Sequence, residues 1–314
     1  MSLTNQRVAY GQALVDLGRE NNDIVVLDAD LGSSTMGRMF ENEFPQRHIE
    51  VGIAEANMTS MSAGLALIGK IPFVNSFAVF ASGRAFDQIR QSIAIGNVNV
   101  KIVGSSAGLS DFGDGATHQS VEDIAIMRSL PNITVLSPCD PNEAYQATIA
   151  AAKHKGPVYL RINRTDFPSV TKADAPFVIG QPVVMKEGSD VAVLATGYMV
   201  RLALEAAQSL EGKVSVKVVN IHTIKPLCQE KLLTAIGDCK AVVTAEEHSL
   251  IGGLGSAVAE ALRGNPLPME FVGINDVFGR SAHNYEELME YFGLTSGNIE
   301  QAVLKLKVLG ITKD

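Results

Sequence analysis

Short continuous apolar runs alternate with longer amphipathic stretches along the chain. Ile24–Leu27, Ile71–Asn75, Val100–Val103, Ile133–Leu136 and Val158–Ile162 are compact runs without the in–out alternation of a half-exposed strand. Runs of this kind predict strands buried on both faces. Helix-length segments separate them, Val8–Leu17 before the first and Ala54–Leu67 before the second. Strand–helix alternation predicts a parallel sheet with helices on both sides. The rhythm breaks over Thr165–Gly188, which holds Pro168, Pro176 and Pro182 and no helical pattern, and reads as a linker. Beyond it the expected strands are Val191–Ala195, Val216–Ile221, Ala241–Ala245 and Phe271–Ile274. The expected helices are Met199–Leu210, Cys228–Ile236 and Gly253–Leu262, with Pro226 placed at the start of the second. The expectation is an α/β protein of two parallel-sheet domains, 1–165 and 189–314, joined by a linker over 166–188.

Length and composition narrow the classes. At ~150 residues per domain, 314 residues suit two domains. Hydrophobic residues at 46% and charged residues at 19% exclude a disordered chain. No apolar run approaches the ~20 residues of a membrane span, and Met1–Arg7 lacks the apolar core of a signal peptide. The net charge is −8, from 26 basic and 34 acidic residues, and no basic run is present. That speaks against a general nucleic-acid or membrane-surface binder and leaves room for a local basic pocket. Cys139, Cys228 and Cys239 are odd in number and lack CxxC spacing. Neither a disulfide scaffold nor a zinc site is expected, and a reducing cytoplasm is.

Three polar segments follow predicted strands, where open parallel sheets place ligands. The densest is Ser105–Gln119, SSAGLSDFGDGATHQ. Its glycines permit tight turns, Asp114 and His118 can bind hydroxyls, and an imidazole can move protons near neutral pH. The plainer reading is a flexible loop with a solvated Asp and a structural His. In His48–Met58, HIEVGIAEANM, a strand-like stretch turns at Gly52 into a helix with Glu55 in its first turn. Alone, that Glu is an ordinary partner of the helix dipole. In Asn75–Arg84, NSFAVFASGR, Phe77 and Phe80 have the spacing of one helix face. Such a pair is usually core, or it walls a slot for a flat heterocycle.

In order, GIAEANM, SFAVF, GDGATHQ, SPCDPNEA and GPVYLRINR resemble the C-terminal half of transketolase, and the resemblance spans nearly the whole chain. VVNIHTIKPL and TAEEHSLIGGLGSAVAE are similar to the C-terminal domain of that superfamily. Each motif is weak alone; the ordered set is specific. The pattern is closest to split transketolases, whose two halves are separate chains.

The resemblance implies roles. Glu55 matches the glutamate that activates thiamine diphosphate through N1′ of its aminopyrimidine. Phe77 and Phe80 match the aromatics that hold that ring. A third aromatic is usual one turn later, where Gly83 stands. Asp30 and Leu31 match a cofactor-site ADL. Asp114 and His118 match ligands of the substrate hydroxyls near the reacting carbons, with His118 also catalytic. Arg7, Ser34 and Arg164 match a site for the far-end phosphate, where guanidinium groups suit a phosphate dianion. Gly104 replaces a phosphate-binding His frequent in the family, so a weaker clamp or an unusual sugar phosphate is expected.

Gly113-Asp114-Gly115 looks like the start of the metal–diphosphate motif of thiamine-diphosphate enzymes. The nearest candidate Asn, Asn132, comes 17 residues after Gly115, so the match is read as accidental. The domain that binds the diphosphate and its Mg²⁺ is absent from this sequence. The implied assembly is half an enzyme completed by an N-terminal transketolase subunit, in a two-plus-two heterotetramer. The implied reaction moves a two-carbon ketol unit from a ketose phosphate to an aldose, as in pentose-phosphate metabolism. Alternatives on the same fold are the β subunit of a 2-oxo-acid dehydrogenase decarboxylase and a deoxyxylulose-phosphate synthase. The first normally lacks a DGATHQ-type loop and the second is one long chain. An inactive assembly or regulatory chain is the alternative of another class.

Overall fold

A computed structural model describes residues 5–308. Its twelve strands are β1 (Ile24–Asp28), β2 (His48–Glu50), β3 (Ile71–Phe77), β4 (Lys101–Ser105), β5 (Thr134–Leu136), β6 (Val158–Arg161), β7 (Val183–Lys186), β8 (Val191–Ala195), β9 (Val216–Asn220), β10 (Thr223–Lys225), β11 (Ala241–Ser249) and β12 (Met269–Ile274). They form a seven-stranded sheet of order β10-β5-β6-β4-β3-β1-β2 and a five-stranded sheet of order β12-β11-β8-β9-β7. The architecture is α/β with two mostly parallel sheets. The compact apolar runs become the central strands: β1, β4, β6, β8 and β9 are buried at every position. Helices cover both faces of each sheet, and each face has its own apolar cluster. Burying each Leu, Ile or Val there contributes about 1.5–3 kcal/mol.

Two strands depart from the expectation. β7 forms inside the stretch read as a linker, pairing antiparallel with β9. It is an edge strand with half-exposed residues, so it lacks the continuous apolar run that marks a central strand. β10 pairs antiparallel with β5 and therefore joins the first sheet, although it comes from the second half of the chain. Three residues between His222 and Pro226 carry too little pattern to be read. Pro226 also lies outside the helix it was expected to open. That helix is Gln229–Ile236 with Cys228 as its N-cap, so its first turn begins three residues after the proline.

The long parallel strands of the first sheet all end at one edge. There β3 runs into Phe77, β4 into Ser105 and β6 into Arg161, and the segments that follow them carry the candidate residues.

Candidate active site

Glu55 is the first residue of the helix Glu55–Leu67, which follows a turn at Gly52 with φ of +69°. Its carboxylate is 1% exposed, so it needs a counter-charge. Arg84 provides one, its Nη1 lying 2.8 and 3.0 Å from the two Glu55 oxygens. The Arg84 guanidinium also lies 4.4 Å from the Phe80 ring centroid. Phe77 and Phe80 do share a face, but not as neighbours on one helix. Phe77 ends β3, and Phe80 opens a π-helical stretch, Phe80–Arg84. Their rings stack at 6.1 Å and 14°. His118 packs edge-on against both, 6.2 Å from Phe77 and 5.4 Å from Phe80. Phe77, Phe80 and His118, scattered in sequence, therefore meet, and Arg84 joins Glu55 to them. Arg84 was not singled out from the sequence. Its signal was its place at the end of the NSFAVFASGR segment. A Cβ at Gly83 would meet nothing within 4 Å, so the position of the missing aromatic is open space.

A basic group also lies near Phe77. The Arg164 guanidinium is 5.8 Å from the Phe77 centroid, and its Nη1 donates to Asp111 Oδ2 at 2.7 Å. Arg7 Nη1 donates to the Ser34 carbonyl at 2.9 Å, so that contact uses the Ser34 backbone. Burial lowers the Arg7 pKa, and the neighbouring Arg164 lowers it further. Among the described residues the buried Arg7 Nε has no partner. Asp111 is the second residue that sequence reasoning passed over; an extra Asp in a loop already rich in polar groups carries no signal of its own. At Gly104 a side chain would overlap the Tyr159 hydroxyl, which donates to Asp123 Oδ2 at 2.8 Å. A histidine has no room there.

Asp114 is exposed and near enough to Asp111 to raise its pKa, and the turn Gly115–Thr117 carries the chain on to His118. The second half of the molecule pins this loop. Leu109 N–H donates to Glu247 Oε1 at 2.6 Å, Gln119 Nε2 to the Arg280 carbonyl at 3.0 Å, and Ala282 N–H to the Phe112 carbonyl at 2.9 Å. Gly108, at φ +64°, lies so close to Glu247 that a Cβ would overlap its carboxylate. Asp30 and Leu31 follow β1 at the same sheet edge. Asp30 is exposed at φ 61°, and its N–H donates to Glu50 Oε1 at 2.8 Å, the atom that also accepts from Gly52 N–H.

Among the described residues no three His, Cys, Asp or Glu side chains are grouped to hold a metal, and no helix is long and apolar enough to cross a membrane. Cys139, Cys228 and Cys239 are free thiols. Two cavities of about 380 Å³ lie away from this cluster, one lined by Arg128, Lys225 and Arg263 and one by Gln146, Lys153 and Phe177.

Residues 4–169 match the family described as transketolase, pyrimidine binding domain, and residues 180–299 match transketolase, C-terminal domain. The chain is 44% identical over 304 residues to a putative transketolase C-terminal section from Methanocaldococcus jannaschii, covering 95% of each. It is 43% identical over 298 residues to the 6-deoxy-6-sulfo-D-fructose transketolase subunit SqwH of a Clostridium species, covering 94% of this chain and 92% of that one. A solved structure described as a split gene transketolase, inactive beta4 tetramer, superposes with a TM-score of 0.89 at 45% identity, covering 100% of both chains.

Proposed function

The chain belongs to the transketolase family, and from that premise we propose that it is the C-terminal subunit of a two-chain transketolase. The reaction is transfer of a two-carbon ketol unit from a ketose phosphate to an aldose. The observation that carries this reading is one cluster of side chains. A buried carboxylate, Glu55, is joined through Arg84 to the aromatic wall Phe77–Phe80, and the Arg164 guanidinium, with Arg7 near it, lies 5.8 Å from the Phe77 centroid. One end suits a flat heterocycle and the other an anion.

The residues present fit thiamine diphosphate. Buried polar atoms without partners among the described residues gather at the ends of the neighbouring strands β3 and β4: Asn75 Nδ2, Ser76 Oγ, Ser105 Oγ and Ser106 Oγ. Unsatisfied buried groups are costly unless a ligand or water answers them. When bound, the cofactor supplies the electron sink for cleavage next to a carbonyl. Glu55 holds a proton position at its pyrimidine end, in a desolvated setting where such a bond is strong. Phe77, Phe80 and Leu31 would hold the ring, with Asp30 contributing from the turn after β1. His118 and Asp114 bind substrate hydroxyls, His118 moving protons, and Arg7, Ser34 and Arg164 orient the far-end anion.

The diphosphate and its Mg²⁺ fall to an N-terminal partner subunit, since the only GDG of this chain sits in the sugar loop. Two copies of each chain around a two-fold axis complete the assembly. The similarity to a chain that forms an inactive tetramer by itself supports self-association of this subunit. The three free thiols support a cytoplasmic setting.

Calorimetry tests this. The chain alone, titrated with thiamine diphosphate and Mg²⁺, is expected to show weak or no binding and no activity. Adding the N-terminal subunit is expected to restore both, each stabilising the other by linkage. Tight stoichiometric binding without a partner overturns the half-enzyme reading.

A further inference from the structure

Ketol transfer does not call for the acid that sits at the anion end of the site. Asp111 lies in the loop of Asp114 and His118, and its side chain is only 4% exposed. Burial raises its pKa; Arg164 opposes that rise and Asp114 adds to it. Its Oδ2 accepts a hydrogen bond from Arg164 Nη1 at 2.7 Å. Arg7 faces the same space and feels Arg164, Asp166 and Asp111. Two guanidinium groups thus share the anion end with the carboxylates of Asp111, Asp114 and Asp166. An incoming anion must share Arg164 with Asp111 or displace it, and by Coulomb's law the penalty grows with each negative charge it brings. Arg164 keeps donors other than Nη1, so a singly charged group can be received beside Asp111.

We propose that Asp111 sets the charge specificity of the anion end, admitting a singly charged oxyanion such as a sulfonate more readily than a dianionic phosphate. This rests on the reading of the chain as half of a transketolase. Asp111 acts through Arg164 and is a positioning residue.

The test assays the complex of this chain with its partner subunit on three ketoses that differ only at the far end: phosphate, sulfonate or hydroxyl. Asp111→Asn is expected to lower KM for the phosphate by about tenfold, for the sulfonate by about threefold, and for the hydroxyl not at all. Asp111→Glu keeps the charge and is expected to keep the wild-type phosphate-to-sulfonate ratio. Equal shifts for all three sugars, or a KM for the phosphate that rises in Asp111→Asn, overturn the proposal. Calorimetry of inorganic phosphate at pH 8 on the chain alone reads the same effect without turnover. Tighter phosphate binding by Asp111→Asn, in a complex that transfers no ketol unit, keeps the role of Asp111 and overturns the functional reading. Phosphate affinity that is undetectable or unchanged in both proteins overturns the role of Asp111.

Discussion

At the ends of β3 and β4 the polar groups are left unfinished, with Asn75, Ser76, Ser105 and Ser106 each carrying a buried atom without a partner among the described residues. At the end of β11, Glu246 and Glu247 are buried to a similar depth, and both are answered. Glu246 accepts from Leu254 N–H at 2.6 Å and Gly255 N–H at 2.8 Å, capping the helix Leu254–Ala261. Glu247 accepts from Leu109 N–H at 2.6 Å and from Asn163 Nδ2 at 3.3 Å, while its own carbonyl takes Arg161 Nη2 at 2.8 Å. Both regions are C-terminal strand ends of mostly parallel sheets that bury polar side chains. One keeps free hydrogen-bonding capacity and can receive a ligand. The other has spent it on backbone and works as a joint between the two halves of the chain. Burial of polar groups alone therefore does not mark a site at such an edge; the count of satisfied partners does.

The sharpest way to break this comparison is to remove a carboxylate charge on each side of it. Glu55→Gln is expected to cut turnover of the reconstituted enzyme by at least ~100-fold with little change in thermal stability. Its partner Arg84 is 47% exposed and can turn to water when the charge is lost. Near-normal turnover refutes the assignment of Glu55. Glu247→Ala belongs to the joint and is expected to act first on stability. It leaves Leu109 N–H unanswered and the buried Arg161 without this neighbouring carboxylate, while Asn163 Nδ2 keeps the Tyr285 hydroxyl, at a cost of about 3 kcal/mol in chemical denaturation. A loss below about 0.5 kcal/mol shows that the joint does not depend on this carboxylate.

The smallest effect concerns pH. Burial raises the Glu246 pKa from 4.5 to about 7, against the bonds from Gly255 and Leu254 that lower it. The folded state then holds an extra proton between those values. The stability it contributes is complete below about 4.5 and is lost as pH rises through about 7. Between those limits the slope is at most about 1.4 kcal/mol per pH unit. Glu143, raised to about 7 by burial, acts in the same direction. Glu246→Gln is thus expected to flatten the fall in stability between pH 5 and 7 without abolishing it. An unchanged pH profile shows that Glu246 is ionised across this range.

Much of the fold was legible because burial on both faces writes itself into consecutive residues. Val191–Ala195 needs no partner to be recognised as a central strand. β7 and β10 were not legible: an edge strand is half-exposed, and a three-residue strand has no period. The site was legible as a set of motifs and illegible as a set of contacts. Glu55 and Phe80 stood out through GIAEANM and SFAVF, whereas Arg84, 29 residues from Glu55, did not. Asp111 pairs with Arg164 across 53 residues and Leu109 with Glu247 across 138.

By itself the sequence determined which segments become buried strands, since apolar periodicity is a local property and burial rewards it wherever the strand is placed. It also determined, through the ordered motifs, the family and the residues worth watching. Only the tertiary structure decided which charge meets which: that Arg84 neutralises Glu55, that Asp111 occupies Arg164, and that β10 ties the second half to the first sheet. Such pairings depend on distances of a few ångströms set by crossovers between strands, and Coulomb and hydrogen-bond energies change steeply over that range.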